Sequence, residues 1–260
     1  MKEFESRKAS HLTWALSPAS QTDHVAEWQR VRLTHQSLPE LDFSDIRLNS
    51  RFLKTQLATP FFISGMTAGH PGANDLNLTL AHACEKRGWI FCVGSQRREL
   101  ESQDDQTDVW EKLRGRHPDL LVVGNLGASQ LVGTPIKRIL EMLKRLDPQA
   151  LAIHLNPLQE SLQSEGTPQF KGVIQALRNF RKAAPQIPLL IKETGSGFSR
   201  RALQSLSKID GLTAVDVSGL GGTHWGRIEG LRAHENGDEL RAQAAGAFAD
   251  WGITTIDSVN

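Results

Sequence analysis

Four side chains able to do chemistry fall within seven residues: His154, Asn156, Gln159 and Glu160. They follow an apolar run, Ala150-Leu151-Ala152-Ile153, of the kind that makes a strand buried on both faces. Along a strand, alternate residues share a face, so His154 and Asn156 point the same way. Pro157 has no amide hydrogen to give a ladder, so the strand is expected to stop there. Gln159 and Glu160 are then expected on the loop after its C-terminal end, where ligands bind in parallel α/β folds. Imidazole, amide and carboxylate together suit an anionic ligand held partly through a divalent metal. A carboxylate oxygen is what Mg²⁺ seeks, and that ion shares its remaining positions with water and substrate phosphates. The competing reading is a solvated polar loop.

Other apolar segments end in the same manner. The tips are Gly65-Met66-Thr67-Ala68-Gly69, Gly94-Ser95-Gln96-Arg97-Arg98 and Asn125-Leu126-Gly127-Ala128. A fourth, Glu193-Thr194-Gly195-Ser196-Gly197, follows Lys192, and the last runs from Ser218-Gly219-Leu220-Gly221-Gly222-Thr223 through His224-Trp225 to Glu229. Glycines and small residues let a flat ligand approach the backbone, and Ser, Thr and Asn offer neutral hydrogen bonds to the edge of a heteroaromatic ring. Lys192 lies inside an apolar strand and is too costly to bury without an anionic partner. That partner is either a neighbouring carboxylate, Glu193 or Glu160, or a ligand that becomes anionic.

These tips need elements to hold them. From residue 60 onward the pattern repeats: short apolar strand, loop, amphipathic helix. Strands are expected at 60–66, 90–95, 120–125, 150–156, 188–193, 214–218 and 252–256. Their starts are spaced by about 32 residues on average, the size of a βα unit. Helical stripes lie between them: Leu76, Leu80 and Ala83, closed by Gly88; Ile136, Ile139, Leu140, Leu143 and Leu146, ended by Asp147-Pro148; Val173, Ile174, Leu177 and Phe180; and Ala202, Leu203 and Leu206, capped by Ser199. Regular alternation predicts one α/β domain over residues 1–260, a TIM-type (β/α)8 barrel. Residues 1–58 precede it as an extension without a long periodic segment. Seven strands are countable, and the chain stops four residues after the seventh. An eighth strand and two closing helices would take about 60 more residues, so the barrel is expected to be incomplete at its C-terminal side. The unpaired edges of the first and last strands invite association into a homo-oligomer.

Composition narrows the function. The 30 Lys and Arg balance 29 Asp and Glu to a net charge of +1, which gives no reason to expect nucleic acid or an acidic membrane surface as partner. No apolar run approaches the ~20 residues of a membrane span, and Met1-Lys2-Glu3-Phe4-Glu5-Ser6 lacks the apolar core of a signal peptide. The two cysteines, Cys84 and Cys92, both sit in apolar segments and read as reduced, buried thiols of a cytoplasmic protein.

Taken together, these segments resemble the flavin-dependent, or type 2, isopentenyl-diphosphate isomerase family. The residues that carry the resemblance are Arg7-Lys8 with His11, Met66-Thr67-Ala68-Gly69, Gly94-Ser95-Gln96-Arg97, Asn125-Leu126-Gly127 and His154-Leu155-Asn156 with Gln159-Glu160. Lys192-Glu193, Asp216-Val217-Ser218-Gly219 and Gly221-Gly222-Thr223 through Glu229 complete the set. Each motif alone is weak; their order and spacing are specific, and they run to about Gly252-Ile253. The resemblance implies flavin mononucleotide (FMN) across the barrel mouth, held by Met66, Thr67, Ala68, Ser95, Asn125, Lys192, Ser218 and Thr223. It implies a small diphosphate substrate bound by Arg7, Lys8, His11, Ser95, Gln96, Arg97, Asn156 and Gln159, with Mg²⁺ on Glu160. His154, Gln159 and Lys192 would be the catalytic set, and NADPH the reductant of the flavin. The implied reaction interconverts isopentenyl and dimethylallyl diphosphate by a 1,3 proton shift.

Two departures follow. The family pattern has glycine where Ala68 stands, adding one methyl near the flavin. A Gly-Gly-containing loop that holds the flavin phosphate in the family has no counterpart before Asn260, which predicts weakened flavin binding. Two alternatives therefore stand beside the isomerase: a non-catalytic remnant that keeps the diphosphate clamp, and another flavin barrel enzyme such as a 2-hydroxy-acid oxidase. The last predicts an arginine and histidine pair near the seventh strand, yet no histidine follows His234.

Overall fold

The structure, a computed structural model, describes residues 2–66, 71–101 and 108–260; for 2–8, 23–26, 71, 72, 101 and 108 it describes the backbone alone. Thr67, Ala68 and Gly69, expected at the first strand tip, lie outside the described residues, as do the side chains of Arg7 and Lys8.

Residues before 60 are more ordered than their pattern foretells. Helix α1 (Lys2–Ala15) opens the chain, and three short 3-10 turns follow. A hairpin of β1 (Ser50–Phe52) and β2 (Thr55–Leu57) then turns through Leu53 and Lys54, both at positive φ. Six parallel strands come next: β3 (Phe62–Ile63), β4 (Ile90–Cys92), β5 (Val122–Gly127), β6 (Ala150–Leu155), β7 (Leu189–Glu193) and β8 (Leu212–Asp216). Each pairs with its predecessor, giving the order β3-β4-β5-β6-β7-β8 of a curled half-barrel. Sequential parallel pairing requires a crossover each time, and helices supply it. They are α2 (Pro71–Arg87), α3 (Arg97–Glu101), α4 (Asp108–Arg116), α5 (Ala128–Gly133), α6 (Ile136–Leu146), α7 (Pro157–Leu162), α8 (Val173–Ala183) and α9 (Arg200–Leu206). After β8 come α10 (Trp225–Glu235), α11 (Glu239–Ala247) and α12 (Thr255–Val259).

The strand period of two sorts the core. Leu151, Ile153, Leu189 and Ile191 face outward onto Ile139, Leu143, Leu177 and Phe180 of α6 and α8. Fully burying each such side chain is worth about 1.5–3 kcal/mol. Ala81 and Cys84 of α2 and Trp110 and Leu113 of α4 cover Phe91 and Val122 in a second cluster. The alternate residues Cys92, Val123, Ala150 and Ala152 face the concave side, where Leu57 and Phe52 of the hairpin pack on them. Continuing that parity places Asn125, His154 and Lys192 on the concave side at the far end of the strands.

Several expectations need correction. The 252–256 stretch makes a single bridge, Leu220 to Thr254, in place of a seventh strand. Thr254 Oγ1 instead accepts from Asp257 N (3.1 Å), so the threonines start α12 as its cap. The buried face of α2 runs through Ala73, Asn77, Ala81 and Cys84, with Leu76 exposed. The small residues let α2 lie close to the sheet, which the stripe of larger leucines hid. Gln159 and Glu160 belong to α7, begun by Pro157 at its first position, instead of a loop. The expectations for α6, α8 and α9 hold. Asp147 ends α6 in the left-handed region (φ 45°), and Ser199 Oγ caps α9 by accepting from Ala202 N (3.2 Å).

Candidate active site

Strand register fixes the site. His154 stands opposite Gly127 on β5 and Lys192 on β7, and Lys192 stands opposite Asp216 on β8. In a parallel sheet such neighbours share a face, so the imidazole, ammonium and carboxylate form one row at the C-terminal ends. Gly127 belongs to the arrangement: a Cβ there would come within 3.1 Å of His154 Nε2. Above this row opens a cavity of about 190 Å³.

One wall carries His154, Asn125 and Lys192. Asn125 Nδ2 donates to Val93 O (3.0 Å), which leaves its Oδ1 to accept from His154 Nδ1 (2.9 Å). That places the ring proton of His154 on Nδ1. Gln96 lies underneath: Asn125 N donates to its Oε1 (3.2 Å), its own N–H donates to Asn125 O (2.8 Å), and its amide donates to Glu99 (3.1 Å). It braces the wall and does not line the cavity. Burial pushes Glu99 up, against the bonds from Trp110 and Gln96. Lys192 is 5% exposed and donates a long bond to Glu193 O (3.3 Å). The expected carboxylate partner is thus not the Glu193 side chain. Its Oε2 is occupied by the N–H groups of Thr194, Gly195, Ser196 and Gly197 at 2.5–3.2 Å, which shapes the loop above β7. Asp216 is pushed up by burial and pulled back by the Lys192 charge and the Ser218 amide.

The opposite wall is α7. Asn156 Nδ2 donates to Gln159 Oε1 (3.1 Å) and to Glu160 Oε1 (3.0 Å), while Thr167 N donates to Glu160 Oε2 (2.6 Å). Gln159 Nε2 then donates to Glu229 Oε1 (3.0 Å). Glu229, on α10, is 2% exposed. His11 of α1 reaches the same Oε1 (2.9 Å), and Arg232 clamps Oε2 while its other amine holds Glu165 (2.8 Å). Burial alone would push Glu229 up. The His11 hydrogen bond and charge, with Arg232 and Gln159, outweigh it and hold the carboxyl below its usual range. His11 also meets Trp225 edge-on, ring centres 5.1 Å apart.

The cavity brings together His11, Met66, Ser95, Arg97, Asn125, His154, Asn156, Gln159, Glu160, Lys192 and Ser218. Thr223 stands off the lining, its Oγ1 bonded to Gln21 Nε2 (3.0 Å). Sequence reasoning passed over Gln130 and Gln163, which also line it, and gave no role to Thr194, Trp225 or Glu229. The last tip quoted Trp225 and Glu229, but only the turn of α10 reveals that they face α1. A second cavity of about 410 Å³, mostly apolar, lies between the hairpin and the concave sheet, and Lys192 borders both.

A parallel βα half-barrel with a polar rim at its strand tips defines the class: a protein of the (β/α)-barrel fold. No family model matches the chain. It is 46% identical over 257 residues to the isopentenyl-diphosphate delta-isomerase of Legionella pneumophila, spanning 99% of this chain and 74% of that protein. It is 42% identical over 261 residues to the one from Bdellovibrio bacteriovorus, spanning 99% and 74%. The isomerase of Thermococcus kodakarensis matches at 39% over 263 residues, 97% of this chain and 68% of that one. The chain belongs to the isopentenyl-diphosphate delta-isomerase family. Among solved structures it is similar in fold to a chimera of (S)-mandelate dehydrogenase (TM-score 0.55, 15% identity, 91% of this chain and 76% of that one). The soluble mutant of (S)-mandelate dehydrogenase from Pseudomonas putida is similar in fold too (TM-score 0.53, 15% identity, 91% and 76%).

Proposed function

We propose that this chain is an isomerase of the FMN-dependent, type 2 kind, interconverting isopentenyl and dimethylallyl diphosphate in isoprenoid biosynthesis. One observation carries the reading: Lys192, Asn125 and His154 share a single cavity with Asn156, Gln159 and Glu160. The donor set fits both groups. A buried ammonium whose recorded hydrogen bond is long still has donors for an anionic ring edge, and Ser95, Asn125, Ser218 and Met66 border the same space. Thr67 and Ala68 complete the flavin set in this reading, while Thr223, bonded to Gln21, stands behind it. Glu160 offers a carboxylate oriented by Asn156 and Thr167, of the kind that would hold Mg²⁺ beside water and substrate phosphates.

When bound, and reduced with NADPH as reductant, the flavin would supply acid–base chemistry. The chain's own residues do the rest. Lys192 favours the anionic reduced ring, as a cation beside developing charge does. His154, its proton held on Nδ1 by Asn125, and Gln159, fixed by Asn156 and Glu229, line the pocket around the reacting carbons. Diphosphate is anchored by His11, Ser95, Arg97, Asn156 and Gln159, with Arg7 and Lys8 on the turn of α1 before His11 and Gln96 bracing the wall beneath. The anchor supplies binding energy remote from the reacting carbons. Residues 1–58 are thus a substrate-binding extension of one barrel domain. Among the described residues no helix is long and apolar enough to cross a membrane, and we place the protein in the cytoplasm. We also read it as a homo-oligomer: between Val31 and Leu48 the chain exposes Leu33, Leu38, Leu41, Phe43 and Ile46, apolar side chains of the kind that a second copy can cover.

The test is product formation. Protein with FMN, NADPH, Mg²⁺ and isopentenyl diphosphate is expected to give dimethylallyl diphosphate, and to give none when flavin or Mg²⁺ is omitted. Flavin bound without product would overturn the isomerase reading, and no flavin bound would favour the remnant.

A further inference from the structure

A second cluster of metal-ligating groups lies away from the rim. His82 and Glu85 are three residues apart on α2, so they share a face of the helix. His117 is the first residue after α4 and is buried, its N–H held by Leu113 O (2.8 Å). His117 Nδ1 meets Glu85 Oε2 at 2.7 Å, and the His82 and His117 rings lie 5.7 Å apart. One ligand atom from each of the three residues falls within 4.8 Å of the others.

We propose that His82, Glu85 and His117 form a zinc site that clips α2 to the end of α4. Two imidazoles and one carboxylate are a borderline-soft set, suited to Zn²⁺ and poorly suited to Mg²⁺ or Ca²⁺. Tetrahedral zinc with bonds of about 2.0–2.1 Å needs its ligand atoms about 3.3 Å apart. His117 is fixed, while His82 and Glu85 are exposed and free to close that difference by rotamer changes. Water takes the fourth position. The Glu85–His117 bond alone would need no second imidazole, and the nearby ring of His82 is what the metal explains.

Position gives the role. In a βα repeat the helix runs back along its strand, so the C-terminal ends of α2 and α4 lie at the end of the sheet opposite the rim. Binding at that end of a barrel serves stability and not chemistry. The clip would tie two helices that cover Phe91 and Val122 from the same side.

The experiment is titration of metal-stripped, full-length protein with zinc chloride, followed by calorimetry and by the thermal midpoint. One saturable site is expected beyond any bound at the rim, with a midpoint rise of ~5 °C at a hundredfold excess of free zinc over Kd. His82→Ala changes an exposed residue and is expected to remove that site and that rise, while Glu160→Gln keeps both. Absence of saturable binding, or a His82→Ala protein that binds and stabilises like the parent, would overturn the proposal.

Discussion

Replacing Arg232 by methionine tests how the rim is held. Arg232 is buried, clamps Glu229 Oε2, and holds Glu165 Oε1 at 2.8 Å. Methionine keeps much of the stem's apolar volume but takes from the Glu229 carboxylate, 2% exposed, the cation that clamps its Oε2, while His11 and Gln159 stay on Oε1. Removing one partner of a buried ion pair costs about 3–5 kcal/mol, because the other charge stays desolvated. Two donors remain on Oε1, and Glu165 lies nearer water, so the lower end applies: about 3 kcal/mol. For a chain of this length that is ~6 °C in the thermal midpoint, at ~2 °C per kcal/mol.

The pH dependence has a definite sign. In the parent, Glu229 is held below its unfolded value, so its stabilisation is present above the carboxylate's unfolded pKa and lost as pH falls through the folded one. In Arg232→Met, burial is less opposed, the folded pKa rises, and protonation relieves the penalty. The gap between the two proteins is therefore expected to be widest near neutral pH and to narrow toward about pH 5. The assay is the midpoint by circular dichroism at both pH values, with Glu229→Leu/Arg232→Met as control. Removing both charges recovers most of the loss, because the desolvated carboxylate is gone. A single variant within ~1 °C of the parent near neutral pH, or a double variant as unstable as the single, would refute the reasoning.

Lys192→Met is expected to weaken FMN binding about tenfold to a hundredfold, the worth of a buried hydrogen bond to a charged group, measured by quenching of flavin fluorescence. It is also expected to shift the reduced bound flavin toward its neutral form in the absorbance spectrum; unchanged affinity and spectrum would remove Lys192 from the flavin. Burial pushes the thiols of Cys84 and Cys92 up to about 11. Near pH 8 only about one thiol in a thousand is then ionised, so iodoacetamide is expected to label neither until denaturant is added, read by intact mass.

How far the sequence carried this account depends on which force shaped each element. The central βα units were legible because burial set their pattern. Apolar runs at 150–154 and 188–193 became β6 and β7, and the stripes through Leu143 and Phe180 became the buried faces of α6 and α8. The polar tips were legible too, since Asn125, His154, Lys192 and Glu160 do border one cavity. Where tertiary contacts overrode local pattern, the reading failed. Helix α1 has no apolar stripe; it is anchored by His11 on Glu229 and by Trp14 Nε1 on Glu235 Oε2 (3.0 Å), partners more than two hundred residues away. Helix α10 begins at the edge of a glycine-rich loop and carries Gly226 and Gly230, poor helix formers. They suit this helix because a Cβ would strike His224 Cε1 at 2.8 Å and Ala245 Cβ at 2.7 Å. The threonines near 254 suit a strand by propensity and a helix cap by hydrogen bonding, and the cap prevailed.

The most direct test of the central claim is calorimetric titration of isopentenyl diphosphate into the FMN-loaded protein with and without Mg²⁺, for the parent and Glu160→Gln. If the strand tips cradle a flavin beside a metal-bound diphosphate, Mg²⁺ tightens substrate binding in the parent alone, and the FMN affinity of the two proteins is the same. An equal effect of Mg²⁺ on both proteins, or loss of flavin on changing Glu160, would contradict it.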